Sequence, residues 1–142
     1  MKIIIDTSIL VELDRKNKTI ISLLGKLIEN DVEILISTVT ISEILTGVHL
    51  RKDSLRALNE TRSILSQFYW KDLDANTAKK IAEYLSYLIS KGEKIEYQDV
   101  VIAASCTTTS SDYLLTLNTK HFKRIPQIRQ KVIDPKALAK LI

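Results

Sequence analysis

Met1-Lys-Ile-Ile-Ile-Asp-Thr-Ser-Ile-Leu10 is the stretch that decides the fold. Three β-branched residues, Ile3 to Ile5, run into Asp6, and Thr7 and Ser8 then break the apolar run. β-Branched side chains suit a pleated strand, and an apolar run without alternation belongs to a strand covered on both faces. Helical spacing follows at once in Ile9, Leu10 and Leu13. The stretch therefore reads as a central strand of a parallel sheet with a carboxylate at its C-terminal end. In open α/β sheets that end is where ligands bind. The functional question becomes which other residues meet Asp6 there.

Outward from this strand the pattern alternates. A helix with Ile20, Leu24, Leu27 and Ile28 on one face, capped by Thr19, precedes a turn at Asn30-Asp31 and a short buried strand from Glu33 to Ser37. Thr40 to Gly47 opens a third helix, and residues 52–67, with Leu55, Leu58 and Leu65 among charges, form a fourth. Phe68 to Leu73 is aromatic and strand-like, with Tyr69 and Trp70 as packing residues. Asp74 caps the most regular helix, whose face is Ala78, Ile81, Ala82, Leu85, Leu88 and Ile89, and Gly92 stops it. Asp99 to Ser105 lies in a small-residue helix that can pack close to the sheet. Tyr113 to Thr116 is another buried strand, and Asn118 opens a short helix through Phe122. Lys131 to Ile133 is a last edge strand, and Asp134-Pro135 starts a terminal helix. Alternating strands and helices predict a three-layer α/β/α sandwich around a mostly parallel sheet, in one domain spanning residues 1–142.

Composition narrows the function classes. With 45% hydrophobic residues the chain can bury a proper core, which argues against disorder. No apolar run approaches the roughly 20 residues of a membrane span, so no membrane association is expected. Met1-Lys2 leads straight into a strand, so no leader is expected either. The single Cys106 cannot form an internal disulfide and fits a reducing cytoplasm. One cysteine and two distant histidines also exclude a cysteine-rich zinc site. The formal charge of +4 leans mildly toward an anionic partner.

Four polar residues stand where a strand ends or a helix begins: Asp6, Glu43, Asp99 and Asn118. Each has an ordinary reading. Asp6 and Asn118 are good N-caps, Thr40 with Glu43 fits a capping box, and Asp99 suits the positive end of a helix dipole. In a parallel sheet, however, such junctions gather at one edge. Two carboxylates about 4 Å apart repel by on the order of 4 kcal/mol at an effective dielectric near 20. Three together require protons or a cation, and oxygen ligands without His or Cys suit Mg²⁺ or Mn²⁺. The matching substrate is a phosphodiester, attacked by an activated water. Ser8 can hydrogen-bond a carboxylate or a water beside the ion.

With these residues in place, the chain resembles a PIN domain, and most closely the toxin subunit of VapBC-type toxin–antitoxin pairs. The resemblance runs from Asp6-Thr7-Ser8, through Ser42-Glu43 with Gly47, to Asp99-Val-Val-Ile-Ala-Ala and Leu115-Thr-Leu-Asn118-Thr-Lys-His-Phe122. It implies a metal-dependent endoribonuclease with a four- or five-stranded parallel sheet. It also implies Asp6, Glu43, Asp99 and Asn118 as the catalytic set, the three acids as ligands of Mg²⁺ or Mn²⁺, and Ser8 and Thr116 in support. Asn118 departs from a fully acidic pattern and keeps a carbonyl without charge. Such toxins are usually homodimers neutralised by a small VapB-type antitoxin.

Other residues keep two readings. Lys120, His121, Lys123 and Arg124 either contact RNA phosphates or form a solvated helix face. Glu96 is either an outer carboxylate of the site or a loop charge, and the loop charge is preferred. Cys106 and Phe122 are assigned to the core, and His49 to the surface. A receiver domain would need an Asp where the middle strand ends in Ser37-Thr38, and a D-x-D phosphatase would need an acid in place of Ser8. The alternatives that remain are a housekeeping PIN nuclease in RNA processing or decay and a degenerate, non-catalytic PIN binding domain.

Overall fold

Ile3, Ile4 and Ile5 are completely shielded from solvent in β1 (Lys2–Ile5). Each such side chain contributes roughly 1.5–3 kcal/mol on burial. The computed structural model describes residues 1–142. Its other strands are β2 (Glu33–Ser37), β3 (Tyr69–Lys71), β4 (Tyr113–Leu115) and β5 (Val132–Ile133). They form one sheet in the order β3-β2-β1-β4-β5, parallel throughout. β1 is therefore central, as its uninterrupted apolar run predicts. Ile4 lies opposite Leu35 of β2 and Leu114 of β4, and Ile5 opposite Leu115.

Eight α-helices complete the fold: α1 (Thr7–Asp14), α2 (Lys18–Glu29), α3 (Thr38–His49), α4 (Ser54–Leu65), α5 (Ala75–Ser90), α6 (Tyr97–Thr108), α7 (Thr119–Lys123) and α8 (Pro135–Ala139). Strand alternation sorts the core into two layers. Ile4, Leu35, Leu114 and Val132 face α5, α6 and Phe122 of α7. Ile3, Ile5, Ile34, Ile36 and Leu115 face α1, α2, Leu65 of α4 and Leu138 of α8. The result is the expected α/β/α sandwich. α6 presents an unbroken buried run from Val100 to Cys106, because small residues let it lie close to the sheet on every side. Burial also pushes the Cys106 thiol up to about 11, so it packs and does not react.

Several local expectations are corrected. Asn17, not Thr19, caps α2, accepting from the N–H groups of Thr19 and Ile20. Ile28 lies on its exposed side. α3 begins at Thr38 with Ser37 as its cap, so Thr40 and Glu43 do not form a capping box. The buried line of α5 is Thr77, Ile81, Tyr84 and Leu88, while Ala78, Ala82 and Ile89 are exposed. The helix is rotated toward its hydroxyls: Thr77 and Tyr84 hydrogen-bond Thr108 and Thr107 of α6. Tyr69 and Trp70 are exposed, since β3 is an edge strand; the Trp70 indole N–H donates back to the Leu65 carbonyl. Asp74, Asp134 and Pro135 cap as read, and Gly92 ends α5 with φ +68 in a Schellman arrangement, Glu93 N–H donating to Leu88 O.

Candidate active site

On one side of β1 the chain steps outward through β2 and β3, and on the other it returns as β4 and β5. Between β1 and β4 the winding reverses, which is where an open α/β sheet offers a crevice at its carboxyl edge. Asp6 follows β1 at this edge and Thr116 follows β4. The backbone ladder continues one step past β1, with Asp6 N–H donating to Leu115 O at 3.0 Å.

Asp6 is only 2% exposed and stands at the N-cap position of α1, yet its side chain makes no cap hydrogen bond. Its Oδ2 instead accepts from Ser8 Oγ at 2.7 Å and from Thr116 Oγ1 at 2.8 Å. Those hydroxyls in turn accept backbone N–H groups, Ser8 from Leu117 at 3.1 Å and Thr116 from Asn118 at 2.9 Å. Asp6 is thereby tied to the loop carrying Asn118. Asn118 occupies the N-cap position of α7, again without a side-chain cap bond, and it is exposed at the rim.

Glu43 comes from the second turn of α3 and is partly buried. Thr7 Oγ1 has one proton, which it gives to Glu43 Oε1 at 2.8 Å, and it lies 3.1 Å from the buried Thr40 hydroxyl. Asp99 occupies the first turn of α6, where the helix dipole favours a negative charge. His121 Nδ1 of α7 approaches Asp99 Oδ2 at 3.6 Å.

The electrostatics join these elements. Burial is the main cause raising the Glu43 carboxyl above its ordinary range; the Thr7 hydrogen bond opposes it, and the charges of Asp6, Asp99 and Glu96 reinforce it. Burial likewise raises the Asp99 carboxyl, followed by the charge of Asp6, with His121 pulling the other way. Residues from three separate helices thus feel one another's charge. No three His, Cys, Asp or Glu side chains are gathered closely enough as they stand to hold one ion. Asp6 accepts from two hydroxyls and Glu43 from Thr7, while His121 stands beside Asp99. The donor set is hard oxygen throughout, and its mutual repulsion is of the kind a divalent cation relieves.

The sequence reading grouped Asp6, Glu43 and Asp99, and these three do share one electrostatic field. It missed Thr7 and Thr40. The only available sign was a hydroxyl residue next to Asp6 and another a turn before Glu43. Glu96, read as a loop charge, takes the N-cap position of α6 and adds its charge to the same field. Lys120, His121 and Lys123 project from α7 and are exposed, while Arg124 is held by Glu93 and the Lys94 carbonyl.

The family model of the PIN domain matches residues 3–128, nearly the whole sheet and every residue of this cleft. Relatives narrow the class. Ribonuclease VapC of Rickettsia bellii is 30% identical over 131 residues, covering 90% of this chain and 93% of its own length. Ribonuclease VapC19 of Mycobacterium tuberculosis is 31% identical over 126 residues, with 89% and 96% covered. Among solved structures, the Rickettsia felis VapBC2 complex bound to a DNA fragment from its promoter superposes with a TM-score of 0.85 at 26% identity, covering 94% of this chain and 98% of that one. The chain belongs to the PIN-domain family, in its VapC branch. No helix is long and apolar enough to cross a membrane.

Proposed function

We propose that this chain is a divalent-metal-dependent endoribonuclease, the toxin of a VapBC-type toxin–antitoxin pair, acting in the cytoplasm on RNA phosphodiester bonds. The observation that carries this reading is the shared field of Asp6, Glu43 and Asp99, with the Asp6 carboxylate withheld from helix capping. Asp6, Glu43 and Asp99 would hold Mg²⁺ or Mn²⁺, and Asn118 would offer its amide carbonyl from the rim. When bound, such a cation polarises the phosphoryl oxygen and lowers the pKa of a water. Ser8 and Thr116 fix the rotamer of Asp6, and Thr7 fixes that of Glu43. The nucleophile is water and not a side chain: the Ser8 hydroxyl is engaged by Asp6 and Leu117, and Cys106 is buried.

The relatives' names make them ribonucleases, and the Rickettsia felis complex pairs toxin with antitoxin. A VapB-type antitoxin and a second copy of the chain are the corresponding partners here. The test is RNA cleavage by purified wild type, Asp6→Asn and Asp99→Asn with Mn²⁺ present and after EDTA. Both variants should fold by circular dichroism and lose more than about a hundredfold in rate. Wild-type rates from both folded variants, or an EDTA-insensitive wild type, would refute the reading. Co-purification of a small antitoxin separates the toxin from a housekeeping nuclease.

A further inference from the structure

Beside the acidic cleft lies a cavity of about 590 Å³ whose wall carries Lys91, Lys120, Lys123, Arg124 and Arg129 against a single carboxylate, Glu93. These residues come from three places: the C-terminus of α5, helix α7, and the 3-10 turn at Arg129–Lys131. The arginines brace the wall. Arg124 donates to Glu93 at 3.0 Å and to the carbonyls of Lys94 and His121, and Arg129 donates to the Lys123 carbonyl at 2.8 Å. The lysines are free. Lys91, Lys120 and Lys123 make no side-chain hydrogen bond or ion pair, and the Lys91 ammonium rests 5.8 Å above the Tyr87 ring. Three like charges held near one another without counter-charge are what a polyanion neutralises.

The cavity also adjoins the cleft. Arg124 lines it together with a smaller cavity of about 160 Å³ that includes His121 and Glu96, and His121 is the residue facing Asp99. α7 rises only about 7 Å over its five residues, so Lys123 lies a short step from Asn118. We infer that this basic cavity holds the phosphate backbone of single-stranded RNA on one side of the scissile bond, with Lys91, Lys120 and Lys123 as the contacting cations. The inference rests on the nuclease reading of the cleft. It adds Lys91, at the end of α5, to the lysines of α7. RNA is favoured over an acidic peptide because α7 carries the basic wall directly on from Asn118 and His121, at the cleft where RNA cleavage is proposed.

The experiment measures fluorescence anisotropy of a labelled twelve-nucleotide single-stranded RNA, in EDTA, from 50 to 300 mM KCl. The variant is Lys91→Ala/Lys120→Ala/Lys123→Ala. These lysines have no protein hydrogen bonds to lose, and circular dichroism checks the fold. The control is Lys18→Ala/Lys26→Ala/Lys136→Ala, which removes the same charge from the groove between α2 and α8. The wild-type slope of log Kd against log salt should flatten by about 2 in the first variant, since each single-strand phosphate contact contributes about 0.7. Its Kd at 100 mM should rise at least tenfold, and the control should stay within twofold. An unchanged slope in the first variant overturns the inference. So does equal weakening in the control, and so does a loss of antitoxin affinity with RNA binding intact. Cleavage of the same RNA by wild type with Mn²⁺ is scored separately: its absence sinks the nuclease reading while leaving the binding result interpretable.

Discussion

Thr116 donates its hydroxyl to Asp6 Oδ2 at 2.8 Å across 110 residues of sequence, and Thr116 Oγ1 in turn accepts the N–H of Asn118. One buried hydroxyl thus ties the carboxylate after the central strand to the asparagine at the rim. Thr116→Val keeps the shape and removes both bonds. A hydrogen bond to a charged group contributes about 1.5–3 kcal/mol, so chemical denaturation should give a loss in that range. Mn²⁺ affinity by calorimetry, and RNA cleavage, should fall by about 10–100-fold, as for other residues that orient a metal ligand.

Glu43 depends on Thr7 in a similar way. The Thr7 hydrogen bond favours the charged form of Glu43 and opposes its burial. Thr7→Val should therefore raise the Glu43 carboxyl further. The acidic limb of the rate-against-pH profile should move to higher pH, with the plateau rate less affected than the limb. A profile superimposable on wild type would show that Glu43 does not titrate in the active form.

Stability without metal should carry a definite sign. The carboxyls of Glu43 and Asp99 are raised by burial and by their acidic neighbours. The folded state then binds more protons than the unfolded state between the ordinary and the raised values. Each group's contribution is thus most favourable below about pH 4 and is lost as pH rises through its folded pKa. Asp99→Asn should melt near the wild type at pH 4 and above it at pH 7 in EDTA. Millimolar Mn²⁺ should reverse the order at pH 7, because only the wild type gains the cation's binding energy. Melting curves over this range check both signs.

Gly92 allows a prediction away from the site. Its φ of +68 ends α5, and a Cβ there would meet no atom within 4 Å, so only backbone strain opposes a side chain. Gly92→Ala should cost about 1–2 kcal/mol. Circular dichroism melting should detect the loss, and RNA cleavage at 25 °C should be unchanged.

Residues whose chemistry is local were the legible ones. Ile3 to Ile5 announced a central strand because nothing but double coverage tolerates three consecutive β-branched apolar residues before an acid. Asp74 and Asp134 announced caps because the bond is made within three residues. Polar atoms satisfied by distant partners were illegible. Counting apolar residues on α5 favoured Ala78, Ala82 and Ile89, yet Thr77 and Tyr84 turned inward because α6 supplies hydroxyls for them. Thr40 looked like half of a capping box because sequence cannot say that Thr7 stands opposite. Only Asp6 directly follows a strand; Glu43 lies in the second turn of α3 and Asp99 in a helix that follows α5, so their influence on Asp6 is not a matter of strand ends. The side chains each acid turns to are a tertiary matter.

The sheet order has a bearing on synthesis. β1 leaves the ribosome first but lacks one of its two neighbours until β4 has been made. Until then Asp6 has no Thr116 to hold it, and the Leu115 carbonyl that anchors its backbone does not yet exist. Asp6 is thus held in place only once β4 and Thr116 have been made, although β1 precedes every other strand of the sheet.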